Sequence, residues 1–81
     1  MERYTYTVVL TPERGAYAVS VPALPGCVTF GTTVEEAIEM AREAIGLWIE
    51  DLIEQGEPVP LETEPSRTAI VTVEAGVALA R

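Results

Sequence analysis

Histidine and lysine are absent from this chain of 81 residues, and cysteine occurs once, as Cys27. Without imidazole, the usual zinc, iron and copper sites lose their commonest ligand, and acid–base catalysis by histidine is excluded. A single cysteine cannot form a disulfide within the chain. No apolar run approaches the roughly 20 residues that span a bilayer, and no secretory signal opens the sequence. We therefore expect a soluble, cytoplasmic protein without a metal or other cofactor.

The charge of the chain is strongly one-sided. Five arginines accompany thirteen acidic residues, which gives a formal net charge of −8 and a pI near 4.2. A surface of that sign repels phosphate backbones, so we expect no direct binding to DNA or RNA and favour a basic partner. Hydrophobic residues make up 48% of the chain, as in an ordinary globular domain. So short a chain builds one modest core, so residues 1–81 should form a single domain that self-association would stabilise.

Alternating hydrophobicity predicts strands at both ends of the chain. Residues 4–10 and residues 16–21 each alternate as a half-buried strand, and the turn residues between them predict a β-hairpin. Pro25-Gly26 fits the two central positions of a type II turn, after which residues 27–30 form a short third strand. Residues 68–73 alternate again and predict a fourth strand.

One long amphipathic helix is predicted between the third and fourth strands. Thr33 and Glu36 have the spacing of a capping box, in which each residue satisfies a backbone amide of the first turn. Gly56 suits the left-handed position just after a helix, so the helix covers about residues 34–55. Its apolar residues, among them Trp48 as a core anchor, recur at helical spacing and would cover a small sheet. The pattern therefore predicts an α+β domain with an antiparallel sheet of three to four strands covered by one helix.

The segment from residue 21 to residue 31 reads Val-Pro-Ala-Leu-Pro-Gly-Cys-Val-Thr-Phe-Gly and continues as Thr-Thr-Val-Glu-Glu-Ala into the helix. The distinctive feature is the spacing of several residues relative to one another. These residues are Pro22, Leu24, Pro25-Gly26-Cys27, Gly31 and Glu36-Ala37. Over about residues 4–60 this pattern closely resembles the HicB-like antitoxins of bacterial toxin–antitoxin systems. The resemblance implies a β-β-β-α-β fold similar to a trimmed ribonuclease H core. It also implies a non-catalytic protein that binds and neutralises a small basic mRNA-cleaving toxin of the HicA type.

The chain departs from the longer members of that family at its C-terminus. Those members carry a helix-turn-helix or ribbon-helix-helix module that binds their own promoter, whereas about eight residues follow the predicted fourth strand here. We therefore expect no direct DNA binding and no autoregulation by that route. The alternative class is a self-associating structural or small-ligand-binding domain that kept the fold and lost its toxin partner. A gene for a short basic protein beside this one would favour the antitoxin.

A stripe of glutamates lies opposite the apolar side of the predicted helix. It consists of Glu36, Glu39, Glu43, Glu50, Glu54 and Glu57. The simplest interpretation is a solvated helix face, because such faces are usually charged. The functional interpretation is that repulsion between like charges is tolerated because the stripe attracts a basic partner. The candidate partner-binding residues are Glu36, Glu39, Glu43, Glu50 and Glu54.

Three further residues invite a functional interpretation. Met40 and Leu47 lie outside the apolar stripe and seven positions apart, so they are candidates for self-association as a dimer or tetramer. Cys27 has no histidine to activate it, so we interpret it as a half-buried structural thiol whose pKa acidic neighbours raise. A metal-dependent nuclease is disfavoured, because Asp51 is the only aspartate and a helical stripe cannot converge on two ions.

Overall fold

A computed structural model describes residues 3–62 and 67–76 of the chain. The elements follow in the order β1 (Val9–Glu13), β2 (Ala16–Ser20), β3 (Val28–Gly31) and α1 (Val34–Glu54). The strands form one antiparallel sheet in the order β1-β2-β3, so β1 and β3 are its edges. The helix packs across β2 and β3 on one face of the sheet. The predicted α+β class is therefore confirmed, with three strands and one long helix.

The β1–β2 hairpin is tighter than the sequence suggested. Arg14 and Gly15 alone form the turn, with positive φ angles of 49° and 79°. Positive φ at both central residues defines the type I′ turn, whose twist matches that of two paired strands. Pro12 and Glu13 therefore belong to the strand, and the predicted strand over residues 4–10 is displaced to Val9–Glu13. Pro12 is tolerated because β1 is an edge strand. The proline nitrogen, which has no hydrogen to donate, can face the side of β1 that has no neighbouring strand.

The turn before β3 has the predicted geometry. The backbone N–H of Cys27 donates to the carbonyl of Leu24 at 2.9 Å, and Gly26 has a φ of 94°. A type II turn requires positive φ at its third residue, which glycine adopts without strain. A Cβ on Gly26 would lie 3.2 Å from the Cη2 atom of Trp48. The indole ring therefore packs on this turn, which confirms Trp48 as a core residue.

The helix begins at a capping box that differs slightly from the expected one. The Thr33 hydroxyl accepts from the Glu36 N–H at 3.0 Å. The Glu36 carboxylate reaches back to Thr32, accepting from its N–H at 2.5 Å and from its hydroxyl at 2.6 Å. One of the four unpaired amides of the helix N-terminus, the N–H of Glu36, is thereby satisfied, and the Glu36 carboxylate ties down Thr32, the residue before the cap. The helix consequently starts at Val34, as predicted.

The helix ends in a Schellman motif around Gly56, whose φ is 74°. The Gly56 N–H donates to Ile53 O at 3.0 Å, and the Glu57 N–H donates to Leu52 O at 2.9 Å. These two bonds satisfy carbonyls that the last turn would otherwise leave unpaired. The last helical residue is Glu54, one position before the predicted end.

The core consists of two small clusters between the sheet and the helix. One joins Val19 to Ala37 and Ala41, and the other is formed by Val21, Leu24 and Cys27. The partly buried residues that pack against them are Tyr6, Val8, Leu10, Tyr17, Ala44, Ile45 and Trp48. The predicted inward faces of the hairpin and of the helix are therefore confirmed, although the limits of the first strand were not.

The predicted fourth strand is absent from the single chain. Every residue from 67 to 76 is exposed and none belongs to a strand, and Ile70 is 99% exposed. The Cα radius of gyration of 17.0 Å exceeds the roughly 12 Å of a compact chain of this length. Alternation shows which side chains could share a face, but a strand also needs a neighbour for its backbone groups. The predicted connection over residues 61–66 lies only partly within the described residues.

Candidate protein-binding surface

The five glutamates predicted to bind a partner all lie on the exposed side of α1. These residues are Glu36, Glu39, Glu43, Glu50 and Glu54. The buried residues of the same helix, Ala37, Ala41 and Ile49, occupy the other side. At 1.5 Å per residue the glutamates extend over about 27 Å. The structure therefore arranges them as a line along one face, which we call the acidic face, and not as a cluster.

Two carboxylates of the acidic face have partners within the chain. Hydrogen bonds from the Thr32 hydroxyl and then from its backbone N–H hold the pKa of Glu36 below its ordinary value. Glu39 lies 3.7 Å from the Nε atom of Arg42, one turn later. Both side chains of that pair are exposed, so it contributes little stability. Glu36 thus serves the helix cap, and Glu39 is partly neutralised.

The C-terminal half of the acidic face carries charge that no salt bridge among the described residues balances. The last turn of α1 contains no basic residue, although Asp51 and Glu54 lie there and Glu50 directly precedes it. Within residues 3–62 and 67–76, no salt bridge involves Glu50 or Glu54. The negative end of the helix dipole lies at the same place, so these carboxylates oppose it. Binding a cationic surface here would relieve a repulsion that folding leaves in place.

Met40 and Leu47 are exposed apolar residues on the same helix. Their exposed fractions are 36% and 64%, respectively. Contiguous apolar patches mark contact surfaces, because burial removes apolar area from water, whereas single exposed apolar side chains are common on any protein. Their exposure agrees with the sequence-based expectation, while the contact that they make stays a prediction.

Cys27 is more deeply buried than expected. Its exposed fraction is 2%, and it packs among Val21, Leu24 and Trp48. Desolvation by this burial raises the pKa of the thiol, so acidic neighbours were the wrong cause. In the described part of the chain, no group of three or more histidine, cysteine, aspartate or glutamate side chains is placed to hold a metal ion.

An apolar groove went unnoticed in the sequence. It has a volume of 490 Å³ and lies between the chain that leads into β1 and one side of α1. Its lining residues are Tyr4, Thr5, Tyr6, Val8, Ile38, Ala41, Arg42, Ile45, Gly46 and Ile49. Since none of them comes from β2 or β3, we call it the edge groove. The sequence did contain a signal for it. The segment before β1 and the helix α1 together carry more inward-facing apolar residues than one short sheet can cover.

The described residues contain no helix that is both long enough and apolar enough to cross a membrane. The fold and its exposed groups define a small α+β domain suited to binding another protein. The chain belongs to the HicB-like antitoxin family, since a family model described as a HicB-like antitoxin of bacterial toxin–antitoxin systems matches residues 6–75. The resemblance read from the sequence is therefore confirmed.

Individual relatives agree with that assignment. The chain is 50% identical over 56 residues to a UPF0150 protein of Thermoplasma acidophilum, a match covering 68% of this chain and 81% of that protein. It is 46% identical over 57 residues to antitoxin HicB 1 of Photorhabdus laumondii, covering 69% and 37%. It is 40% identical over 57 residues to antitoxin HicB of Escherichia coli K12, covering 69% and 41%. The match thus spans less than half the length of these two antitoxins.

Proposed function

We propose that this chain is an antitoxin that binds and neutralises a small basic mRNA-cleaving toxin of the HicA type. The observation that carries the proposal is that Glu50 and Glu54, at the C-terminal end of α1, have no salt bridge within residues 3–62 and 67–76. Family membership supports an antitoxin role, and the acidic face supplies the chemistry that a basic toxin would require. Its partner-binding residues are the five glutamates of the acidic face, with Glu43, Glu50 and Glu54 contributing most.

The mechanism that we propose is occlusion without catalysis. A nuclease that binds RNA must present positive charge to the phosphate backbone. The acidic face attracts that positive surface at long range and then covers it, so RNA and antitoxin compete for the same groups. Complementary charge acts mainly on the association rate, which salt reduces. The antitoxin therefore needs no active site of its own.

The proposal includes several finer features that the family resemblance and the composition support. We place the protein in the cytoplasm, without direct binding to nucleic acid, and with a fold related to a trimmed ribonuclease H core. It forms a homo-oligomer, a dimer or tetramer, to which Met40 and Leu47 contribute a contact between copies. Their exposure beside the acidic face is the supporting observation.

A second candidate function rests on the edge groove. Its volume of 490 Å³ falls in the range of small-molecule sites, about 300 to 1,000 Å³. A domain that had lost its toxin partner could use this groove for a small apolar ligand or for self-association. Such a protein would show no affinity for a basic toxin, whatever its oligomeric state.

The deciding experiment compares two variants with the same change in net charge. Glu50→Gln combined with Glu54→Gln removes two negative charges from the acidic face, while Glu13→Lys makes the same change in net charge at the hairpin, where Glu13 is exposed. We expect the double variant to bind a purified HicA-type toxin about tenfold more slowly at low salt. Glu13→Lys should bind at nearly the original rate, and inhibition of RNA cleavage should follow binding. Equal effects of the two variants would remove the acidic face from the mechanism, and absence of binding would reject the antitoxin.

A further inference from the structure

The edge groove lies at the side of the sheet where another strand could be added. It is bounded by the chain before β1 on one side and by Ile38, Ile45 and Ile49 of α1 on the other. β1 is an edge of the sheet, so it carries unpaired backbone groups, and Val8, which lines the groove, directly precedes it in the chain. A strand placed there would pair with β1 and insert alternate side chains into the groove.

The pairing register shows which part of β1 can accept a strand. The two-residue turn makes Glu13 and Ala16 a hydrogen-bonded pair, so the positions bonded to β2 alternate with positions that point outward. By this alternation the N–H and carbonyl of Leu10 point outward. The carbonyl of Pro12 also points outward, but proline has no N–H to donate. Proline therefore stops pairing near the turn, and the accepting end of β1 is the one that adjoins the edge groove.

Gly46 leaves open space in the middle of this groove. It lines the groove in the middle of α1, and a Cβ added there would meet no atom within 4 Å. Glycine inside a helix is unfavourable compared with alanine. Nothing in the described part of the chain uses the space that Gly46 leaves, whereas a strand lying across the helix would.

The chain itself contains a segment of matching chemistry. Residues 68–73 read Thr-Ala-Ile-Val-Thr-Val, a β-branched sequence without charge. Ile70, Val71 and Val73 are 99%, 76% and 77% exposed, so the segment is not covered by its own domain. The same molecule therefore leaves an apolar groove open and an apolar strand sequence uncovered.

Contacts near the groove fix where the chain leaves the domain. The Tyr6 hydroxyl donates to the carbonyl of Pro60 at 2.5 Å, and the Thr7 N–H donates to the Glu62 carboxylate at 2.7 Å. The chain after α1 is thus held at the groove's rim before it continues to residues 68–73. If two copies are related by a twofold axis, residues 68–73 of each copy can lie in the edge groove of the other. Twofold symmetry makes such an exchange reciprocal.

We propose that residues 68–73 of a second copy add as a strand to the outer edge of β1 and cover the edge groove, with both copies exchanging the segment. The fourth strand that the alternation predicts is then formed between chains instead of within one. This dimer does not depend on toxin binding. Like charges of −8 on each chain oppose it, so added salt strengthens the dimer. Toxin binding through the acidic face responds to salt in the opposite direction.

The first test is the mass of the full chain in solution by sedimentation or light scattering. We expect a dimer whose dissociation constant falls when salt is added. Ile70→Asp places a charge in the exchanged segment, and Val28→Asp places one at another exposed apolar residue, on β3, where Val28 is 67% exposed. Ile70→Asp should weaken the dimer at least a hundredfold, and Val28→Asp should leave it nearly unchanged. Equal weakening by both would show a general charge effect and overturn the exchange.

The groove side is tested by Gly46→Gln, which fills the space without meeting another atom of its own chain. Because glutamine favours the helix more than glycine does, the melting temperature of the isolated domain should not fall. The dimer should nevertheless be lost. A dimer that survives both Gly46→Gln and Ile70→Asp would place the contact elsewhere and overturn the proposal.

Cross-linking separates exchange between copies from docking within one chain. Ile70→Cys is placed on one chain and Ile38→Cys or Thr5→Cys, at two different places along the groove, on another. Oxidation of the mixed chains should produce a disulfide between them, identified by mass spectrometry. The second arm places both substitutions on one chain. If that chain stayed monomeric at every concentration and formed the disulfide only within itself, the fourth strand would be internal and the proposal would be overturned. Either result leaves the toxin-binding experiment unaffected.

Discussion

Gly31, the last residue of β3, lies against the backbone of Ala37 in the first turn of the helix. A Cβ on Gly31 would stand 2.5 Å from the Ala37 nitrogen and 2.6 Å from its Cα, closer than atoms can pack. Both residues are buried, and the obstacle is backbone, which cannot rotate away as a side chain could. This contact holds the start of the helix on the sheet and so sets the direction of the acidic face.

Gly31→Ala should therefore destabilise the domain by about 1 to 3 kcal/mol, as overpacking of a tight core usually does. The matched control is Gly76→Ala, whose added Cβ meets nothing within 4 Å and whose effect should stay within about 0.5 kcal/mol. Urea unfolding followed by Trp48 fluorescence measures both. Equal stability of Gly31→Ala and the original chain would mean that the helix does not need this close approach.

Thr33→Ala should cost about 1 kcal/mol of stability, because it removes the oxygen that accepts from the Glu36 N–H. Ser20→Ala also removes a hydroxyl, at an exposed position outside the helix and outside residues 68–73, and it should have little effect. The free energy of unfolding from urea titration distinguishes them. If both variants were equally stable, the cap would contribute nothing to the fold.

The capping carboxylate also predicts a pH dependence. Since the pKa of Glu36 is lower in the folded chain than its ordinary value near 4.5, the folded state stabilises the ionised form. That stabilisation is fully present above the ordinary value and is lost as the pH falls through the lowered one. Glu36→Gln should flatten this part of the profile of stability against pH. Glu43→Gln, which changes an exposed glutamate of the same helix away from the cap, should leave it in place.

Cys27 should react slowly with a thiol reagent in the folded protein. It is 2% exposed and burial raises its pKa, so both access and thiolate formation are unfavourable. At pH 8, modification in native buffer should be at least a hundredfold slower than in urea. Cys27→Ser combined with Ser20→Cys moves the thiol to an exposed strand position and should react at nearly the unfolded rate. Fast reaction of the unaltered native chain would contradict the core placement.

Leu47→Gln should reduce association beyond the dimer, because Leu47 is 64% exposed and its burial between copies would be lost. Ile53→Gln is the control, since Ile53 is 58% exposed on the same helix but was not assigned to a contact. Light scattering at high protein concentration compares the two. A mass unchanged by Leu47→Gln would show that this residue does not join copies of the chain.

Local signals along the sequence determined most of the framework. The spacing of Thr33 and Glu36 marked the start of the helix, Gly56 marked its end, and Pro25-Gly26 marked the turn before β3. Each of these depends on a few neighbouring residues, since caps and turns are made of short-range hydrogen bonds and of φ angles that particular residues allow. The family resemblance was confirmed as well, because it depends on the same short segments that form the turns and the packing positions.

The tertiary structure decided what local patterns could not. It moved β1 to Val9–Glu13, because the pairing partner and the turn type fix which alternating residues belong to a ladder. It showed that Glu36 and Glu39 have partners within the chain while Glu50 and Glu54 have no salt bridge among the described residues. It left residues 68–73 outside any strand and opened the edge groove beside β1. The alternation of that segment determined that it could form a strand, but a strand exists only where the fold supplies a neighbouring edge.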